Sequence, residues 1–259
     1  MKINNVAVDT LSAASDASSP FLGLQFAYVD ATAIQAKVDP KLPEATARIL
    51  MFDSAGNLKW FTFTGTQNID LDTDGVNGLE TVCKNAEGEE ANHNYHVYAV
   101  GTSAGTVGFL FVDTDDYSDG PFGGGWALPS GYTYCSLPAW YVRNNGSSNI
   151  LTFSDSNGYC AWEAGHGSQT IVSNGSATSY TDVTADLQKY APPWAQVAKL
   201  RVWVGSGGTV NLSHNGSTNT LDTMGAVTNY EHAEWAGGSS LHYKRATANT
   251  YIQCQGWQR

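Results

Sequence analysis

Apolar and polar residues alternate with a period of two over short stretches of this chain, and turn-forming residues separate the stretches. Leu24-Gln-Phe-Ala-Tyr28, Ile34-Gln-Ala-Lys-Val38, Leu58-Lys-Trp-Phe-Thr-Phe63, Tyr95-His-Val-Tyr-Ala-Val100, Val107-Gly-Phe-Leu-Phe-Val112 and Leu200-Arg-Val-Trp-Val204 alternate in this way or run apolar over the usual strand length. That spacing predicts strands rather than helices. Asn-Gly pairs punctuate the pattern at Asn77-Gly78, Asn145-Gly146, Asn157-Gly158, Asn174-Gly175 and Asn215-Gly216. Such a pair is favoured where both central residues of a type I′ hairpin take positive φ, so five of them predict an antiparallel meander or sandwich. Helical expectations are limited to Asp182 to Tyr190, stopped by Pro192-Pro193, and a short apolar stretch from Val6 to Ala17. The expected fold is all-β: an N-terminal docking arm over 1–20, then two antiparallel, jelly-roll-like β-sandwich domains over 21–153 and 154–259. Ser154-Asp-Ser-Asn-Gly158 is the expected linker between them.

Composition narrows the class. Eight tryptophans, thirteen tyrosines and 27 glycines against only 14% charged residues describe a turn-rich aromatic β protein. The formal charge of −11 repels a phosphate backbone and an anionic membrane surface, so nucleic acid is not an expected partner. The amino terminus has an acid where a signal peptide needs an apolar run, and no apolar run approaches the ~18 residues that span a bilayer, so membrane insertion is not expected. Cys83, Cys135, Cys160 and Cys254 have no CxxC spacing and read as free thiols, with Cys254 facing a core beside Ile252. The other three retain the option of bridging in an oxidising medium.

Four segments stand in a recognisable order: Gly75-Val-Asn-Gly-Leu-Glu-Thr81, Tyr95-His-Val-Tyr-Ala-Val100, Leu128-Pro-Ser-Gly-Tyr132 and Val142-Arg-Asn-Asn-Gly-Ser-Ser-Asn-Ile150. Tyr180-Thr-Asp-Val-Thr-Ala-Asp-Leu-Gln-Lys-Tyr-Ala-Pro-Pro-Trp-Ala195, Lys199-Leu-Arg-Val-Trp-Val204 and Tyr251-Ile-Gln-Cys-Gln-Gly-Trp257 extend the order to the carboxyl end. This order resembles the β-rich modules of tailed-bacteriophage virion appendages: tail fibres, head fibres and receptor-binding spikes. The likeness departs at Tyr134-Cys-Ser-Leu-Pro-Ala-Trp140, where that family carries a basic run. The resemblance implies a structural protein of a phage or phage-like particle, assembled in the bacterial cytoplasm and exposed on the virion. Its implied partners are other virion proteins, further copies of itself in a homo-oligomer, with a trimer favoured, and a host surface glycan or protein.

Candidate chemistry is sparse. Gly101-Thr-Ser-Ala-Gly105 fits the GxSxG pattern, but a nucleophile elbow needs a strand followed by a helix, and this segment lies between two predicted strands. Asp70-Leu-Asp-Thr-Asp-Gly75 offers Asp70, Asp72 and Asp74 as calcium ligands on a loop, yet the twelfth position is Thr81 rather than a bidentate Glu. A solvated acidic turn is the competing reading. His93 and His96 fall on opposite faces of a strand, which predicts no zinc and an outward His96. Asp113, Asp115, Asp116 and Asp119 are the carboxylates a glycosidase would need, but the chain has no coil period of a depolymerase β-helix. Asn-x-Ser sequons at Asn145, Asn174, Asn211 and Asn215 read as turns. Tyr117, Phe122 and Trp126, set among glycines, are the candidate ligand-binding aromatics. No catalytic or cofactor residue is predicted. Two alternatives to the appendage are a stand-alone carbohydrate-binding module and a polysaccharide depolymerase spike.

Overall fold

The computed structural model describes residues 20–80, 90–113, 121–122, 125–156, 158–163, 169–204, 209–214, 222–224, 231–236, 240–245 and 249–259. The fold is all-β. Among the described residues there are twenty strands and one short helix. In the first half they are β1 (Phe21–Leu22), β2 (Leu24–Tyr28), β3 (Ala33–Val38), β4 (Thr46–Phe52), β5 (Leu58–Thr64), β6 (Thr66–Asp74), β7 (Gly78–Leu79), β8 (Asn94–Thr102), β9 (Val107–Asp113) and β10 (Tyr132–Arg143). The expected arm and the Val6 to Ala17 stretch lie outside the described residues, apart from Pro20.

These ten strands form one sheet in the order β1-β4-β10-β8-β9-β7-β6-β3-β2, with β5 on the other edge of β4. The two ends of that order are neighbours in the chain. Only Gly23 separates β1, which pairs with β4, from β2, which pairs with β3. Gly23 has φ +71, and a Cβ there would lie 1.9 Å from Leu42 Cδ1. One glycine therefore lets a single stretch of chain change ladders, and the sheet closes on itself around Phe26, Ile49, Phe109 and Trp140. β5 stays outside the ring as a flap on β4.

β10 is bulged over the segment where the family likeness departs, with register shifts between Cys135 and Pro138 and between Pro138 and Trp140. Pro138 has no N–H to give to a ladder. Ser136 Oγ fills part of the gap by accepting the Ala99 N–H at 3.0 Å.

The second half contains β11 (Phe153–Ser156), β12 (Tyr159–Trp162), β13 (Thr170–Gly175), β14 (Thr181–Asp182), α1 (Thr184–Gln188), β15 (Val197–Val204), β16 (Val210–Ser213), β17 (Asp222–Met224), β18 (Glu231–Ala236), β19 (His242–Arg245) and β20 (Thr250–Gln258). A six-stranded sheet runs β11-β12-β20-β15-β18, with β13 also on β20, and a four-stranded sheet runs β14-β19-β16-β17. His214, just after β16, meets Trp235 of β18 with ring centroids 3.8 Å apart, joining the two sheets. Cys254 is buried on β20 as expected, and Cys135 and Cys160 are buried free thiols. Burial pushes the Cys254 thiol up to about 12, which keeps it unreactive. Cys83 lies outside the described residues.

Two expectations are corrected. The expected linker is strand β11 with its turn. It packs on β2, where Asp155 Oδ2 accepts the Phe26 N–H at 2.9 Å. One apolar core runs without a break from Phe21 to Trp257. The described Asn-Gly pairs also fail as a class to form type I′ turns. Asn77 (φ 65) and Asn174 (φ 54) are left-handed alone, without positive φ at the following glycine. Gly78 is instead needed for close approach, because a Cβ there would lie 2.0 Å from Thr73 O. Asn145 builds an Asx-type turn, its Oδ1 accepting the N–H groups of Ser147 and Asn149 at 2.8 and 3.1 Å. Among the described residues, Gly158 of the β11–β12 connection has positive φ (+80), between Ser156 and Tyr159, which pair.

Candidate functional site

The outer face of the β4–β5 flap is apolar. Alternation on β5 buries Phe61 and Phe63 and turns Leu58, Trp60, Thr62 and Thr64 outward. Leu58 is 66% exposed and Trp60 37%. They stand opposite Phe52 and Leu50 on β4, and the Arg48 guanidinium lies 5.2 Å from the Trp60 ring. Phe122, 39% exposed, meets Phe52 edge to face at 5.6 Å. An aromatic and aliphatic strip is thus presented to solvent on a rigid hairpin.

The candidate aromatics divide. Phe122 is on this surface, Tyr117 lies outside the described residues, and Trp126 is buried at 3% exposure against Tyr98 with centroids 5.0 Å apart. Trp126 is a core residue, because a large indole beside an apolar strand gains more by burial than by display. Trp60 is on the surface instead: alternation separates 58/60/62 from 61/63 but does not say which set is inside.

A second feature lies at the seam between the halves, a cleft of about 560 Å³. Gln25 and Asp39 come from the first half and Trp194, Gln196, Gln258 and Arg259 from the second. Leu137, 56% exposed on the β10 bulge, also lines it. Arg259 is held across the seam. Its Nη1 donates to Ala139 O at 3.2 Å and its Nη2 to Leu24 O at 3.0 Å, with the guanidinium 5.4 Å from the Trp140 ring. Trp194 donates its indole N–H to His96 Nε2 at 3.3 Å and meets Trp257 edge to face at 5.2 Å.

His96 is therefore inside the seam rather than outward. Burial pulls its pKa down from 6.5 to about 4, so the ring is neutral and its Nε2 serves as an acceptor. His93 is separate. Its Nδ1 lies 2.8 Å from Asp113 Oδ2 and its Nε2 2.9 Å from Glu90 Oε2. Asp113 is thus buried against an imidazole, while Asp115, Asp116 and Asp119 lie outside the described residues.

Asp70, Asp72 and Asp74 are on strand β6, not on a loop, and Asp70 Oδ1 accepts the Asp72 N–H at 3.0 Å. An extended backbone spreads the three carboxylates along the strand. No group of three or more His, Cys, Asp or Glu suited to a metal occurs among the described residues. The Gly101–Gly105 segment forms the β8–β9 hairpin, with Gly105 at φ +98, as its two-strand setting required. No helix among the described residues is long and apolar enough to cross a membrane.

The class defined by this architecture is an all-β protein with an exposed apolar strip and a cleft between its halves. No family model matches the chain, and no curated protein is similar to it. Among solved structures, 92% of the chain pairs with 51% of the insecticidal delta-endotoxin Cry8Ea1 from Bacillus thuringiensis, at 8% identity and a TM-score of 0.21. The chain spans about half the length of that toxin.

Proposed function

We propose that the chain is a structural and attachment protein of a tailed-phage or phage-like particle, part of a tail or head appendage that meets the host surface. The observation that carries this reading is the exposed Leu58/Trp60/Phe122 strip on a closed, densely packed β scaffold. Exposed aromatics on rigid elements are the usual anchors of recognition surfaces. The sequence resemblance adds support, since its segments are neighbours in the fold. The Asn77 N–H donates to Phe109 O on β9 at 2.6 Å, the Phe109 N–H donates to Asn77 Oδ1 at 3.1 Å, and β9 pairs with β8.

The function is adhesion without bond-making. Each copy contributes weak contacts, and many copies on one particle convert them into stable attachment. The acidic charge keeps the appendage off packaged DNA. Residues 1–20 serve as the docking arm. The test is particle assembly with the full chain and with a chain lacking residues 1–20. The full chain should be found in purified particles and the shortened chain should not, while the shortened protein keeps a β-type circular dichroism spectrum. Absence of the full chain from particles would remove the virion role, and normal incorporation of the shortened chain would remove the docking arm.

A further inference from the structure

We infer that the cleft between β2, the β10 bulge and β20 is a binding site for a neutral saccharide of one or two rings. Its volume of about 560 Å³ is in the range of small-ligand sites. A sugar ring presents hydroxyls that both donate and accept, and one or more faces of C–H groups. The cleft answers both. Gln25, Gln196 and Gln258 each offer a carbonyl acceptor and an NH₂ donor, and Asp39 adds a carboxylate acceptor. Trp194 supplies the apolar platform. It is held in place before any ligand arrives by its bond to His96 and its contact with Trp257, so stacking on it costs little ordering.

Charge selects a neutral sugar. Arg259 is the cation of the lining, and its Nη1 and Nη2 are committed to Ala139 O and Leu24 O. Its charge also faces Asp155, whose carboxyl it stabilises. Asp39 brings a negative charge to the same cleft, and the whole chain carries −11. A uronic acid, sialic acid or phosphate would thus meet repulsion with no uncommitted cation in the lining to offset it. This assignment rests on the attachment reading for the source of the sugar, a host surface glycan; the chemistry of the cleft stands apart from it.

The test is saturation-transfer NMR and titration calorimetry of the full chain with glucose, galactose, N-acetylglucosamine and their disaccharides, and with glucuronic acid as the anionic probe. At least one neutral sugar should bind in the millimolar range, with glucuronic acid weaker. Gln196 and Gln258 are exposed, so the double variant Gln196→Ala/Gln258→Ala keeps the fold, checked by circular dichroism, and should weaken binding about tenfold or more. Ser173→Ala, at an exposed position on β13 outside the lining, should leave it unchanged. Absence of neutral-sugar binding, a preference for glucuronic acid, or binding untouched by the double variant would each overturn the assignment. Sugar binding by a chain that is absent from particles would keep the cleft and remove the virion role. A chain found in particles that binds no sugar would do the reverse.

Discussion

Within residues 21–153 the buried polar groups of β8 and β10 answer one another. Tyr141 and Arg143 both donate to Asn94 Oδ1, at 2.7 and 2.8 Å, and Ser136 Oγ closes a gap in the ladder. Among the described residues, the buried atoms Gln169 Nε2, Asn211 Oδ1, His242 Nδ1, Arg245 Nε and Thr250 Oγ1 of the second half have no hydrogen-bond partner, and in the first half the indole N–H groups of Trp126 and Trp140 also have none. The first half also closes its sheet through Gly23, whereas among the described residues the second forms two sheets that end at β11, β13 and β18 and at β14 and β17. The difference shows where this molecule holds its stability: more buried polar groups pair in the first half, and part of that pairing crosses the seam, where Asp155 accepts the Phe26 N–H and Arg259 donates to Leu24 O and Ala139 O.

The seam gives the largest test of that contrast. Trp140 is fully buried and touches Phe26 and Phe153 as well as Trp257 of β20, at 4.7 Å. Trp140→Ala should cost about 3–5 kcal/mol. It should also lower hydrogen-exchange protection in β15 as well as β8. Protection lost in β8 with β15 unchanged would show two independent halves instead.

Next in size is an acid effect at His96. Its folded pKa of about 4 is below the ordinary 6.5, so between those values the unfolded chain binds the extra proton. Stability is therefore full above pH 6.5 and falls as pH drops toward 4, by on the order of 3 kcal/mol in total. Asp155 is shifted the opposite way by burial, so it takes a proton first in the folded state and offsets part of the loss at the acid end. His96→Gln keeps an acceptor for Trp194 and should flatten the slope in urea titrations at pH 7, 5.5 and 4.5, values spanning the window about the ordinary His pKa.

The smallest effect distinguishes the halves by sign. Ser136→Ala removes a hydroxyl that pairs, and should lower stability by about 1 kcal/mol; Thr250→Val removes one without a protein partner, and should leave stability unchanged or raise it by up to about 1 kcal/mol. Thermal midpoints of the two variants measure both. A loss of equal size at the two positions would erase the contrast.

Much of the strand content was legible because alternation is local. Leu24–Tyr28 is a strand over the residues the pattern marked, and the core position of Cys254 followed from the same period. The closure was not legible, since nothing in Phe-Leu-Gly-Leu says that the residues before Gly23 pair with β4 and those after it with β3. The Asn-Gly turns misled for a related reason. The pair permits positive φ, but Asn145 instead used its side chain on neighbouring N–H groups. The outward expectation for His96 failed because the second half covers that face of β8 with Trp194, a contact 98 residues away. The cleft was hidden for the same reason: its walls come from six separated stretches of chain.

Arg259 reaches back over 235 residues to the carbonyl of Leu24, and that distance is also an interval of time. Chains are made from the amino end at roughly 5–20 residues per second, and early units fold first. The ring through Gly23 can close while β20 has yet to be synthesised. Until it emerges, Trp140 lacks Trp257 as a cover, and the nascent first half carries a bare aromatic face for several seconds on that clock. A crowd of identical chains on one messenger would bring such faces together, so the yield of soluble protein should respond to how quickly the final strands are translated.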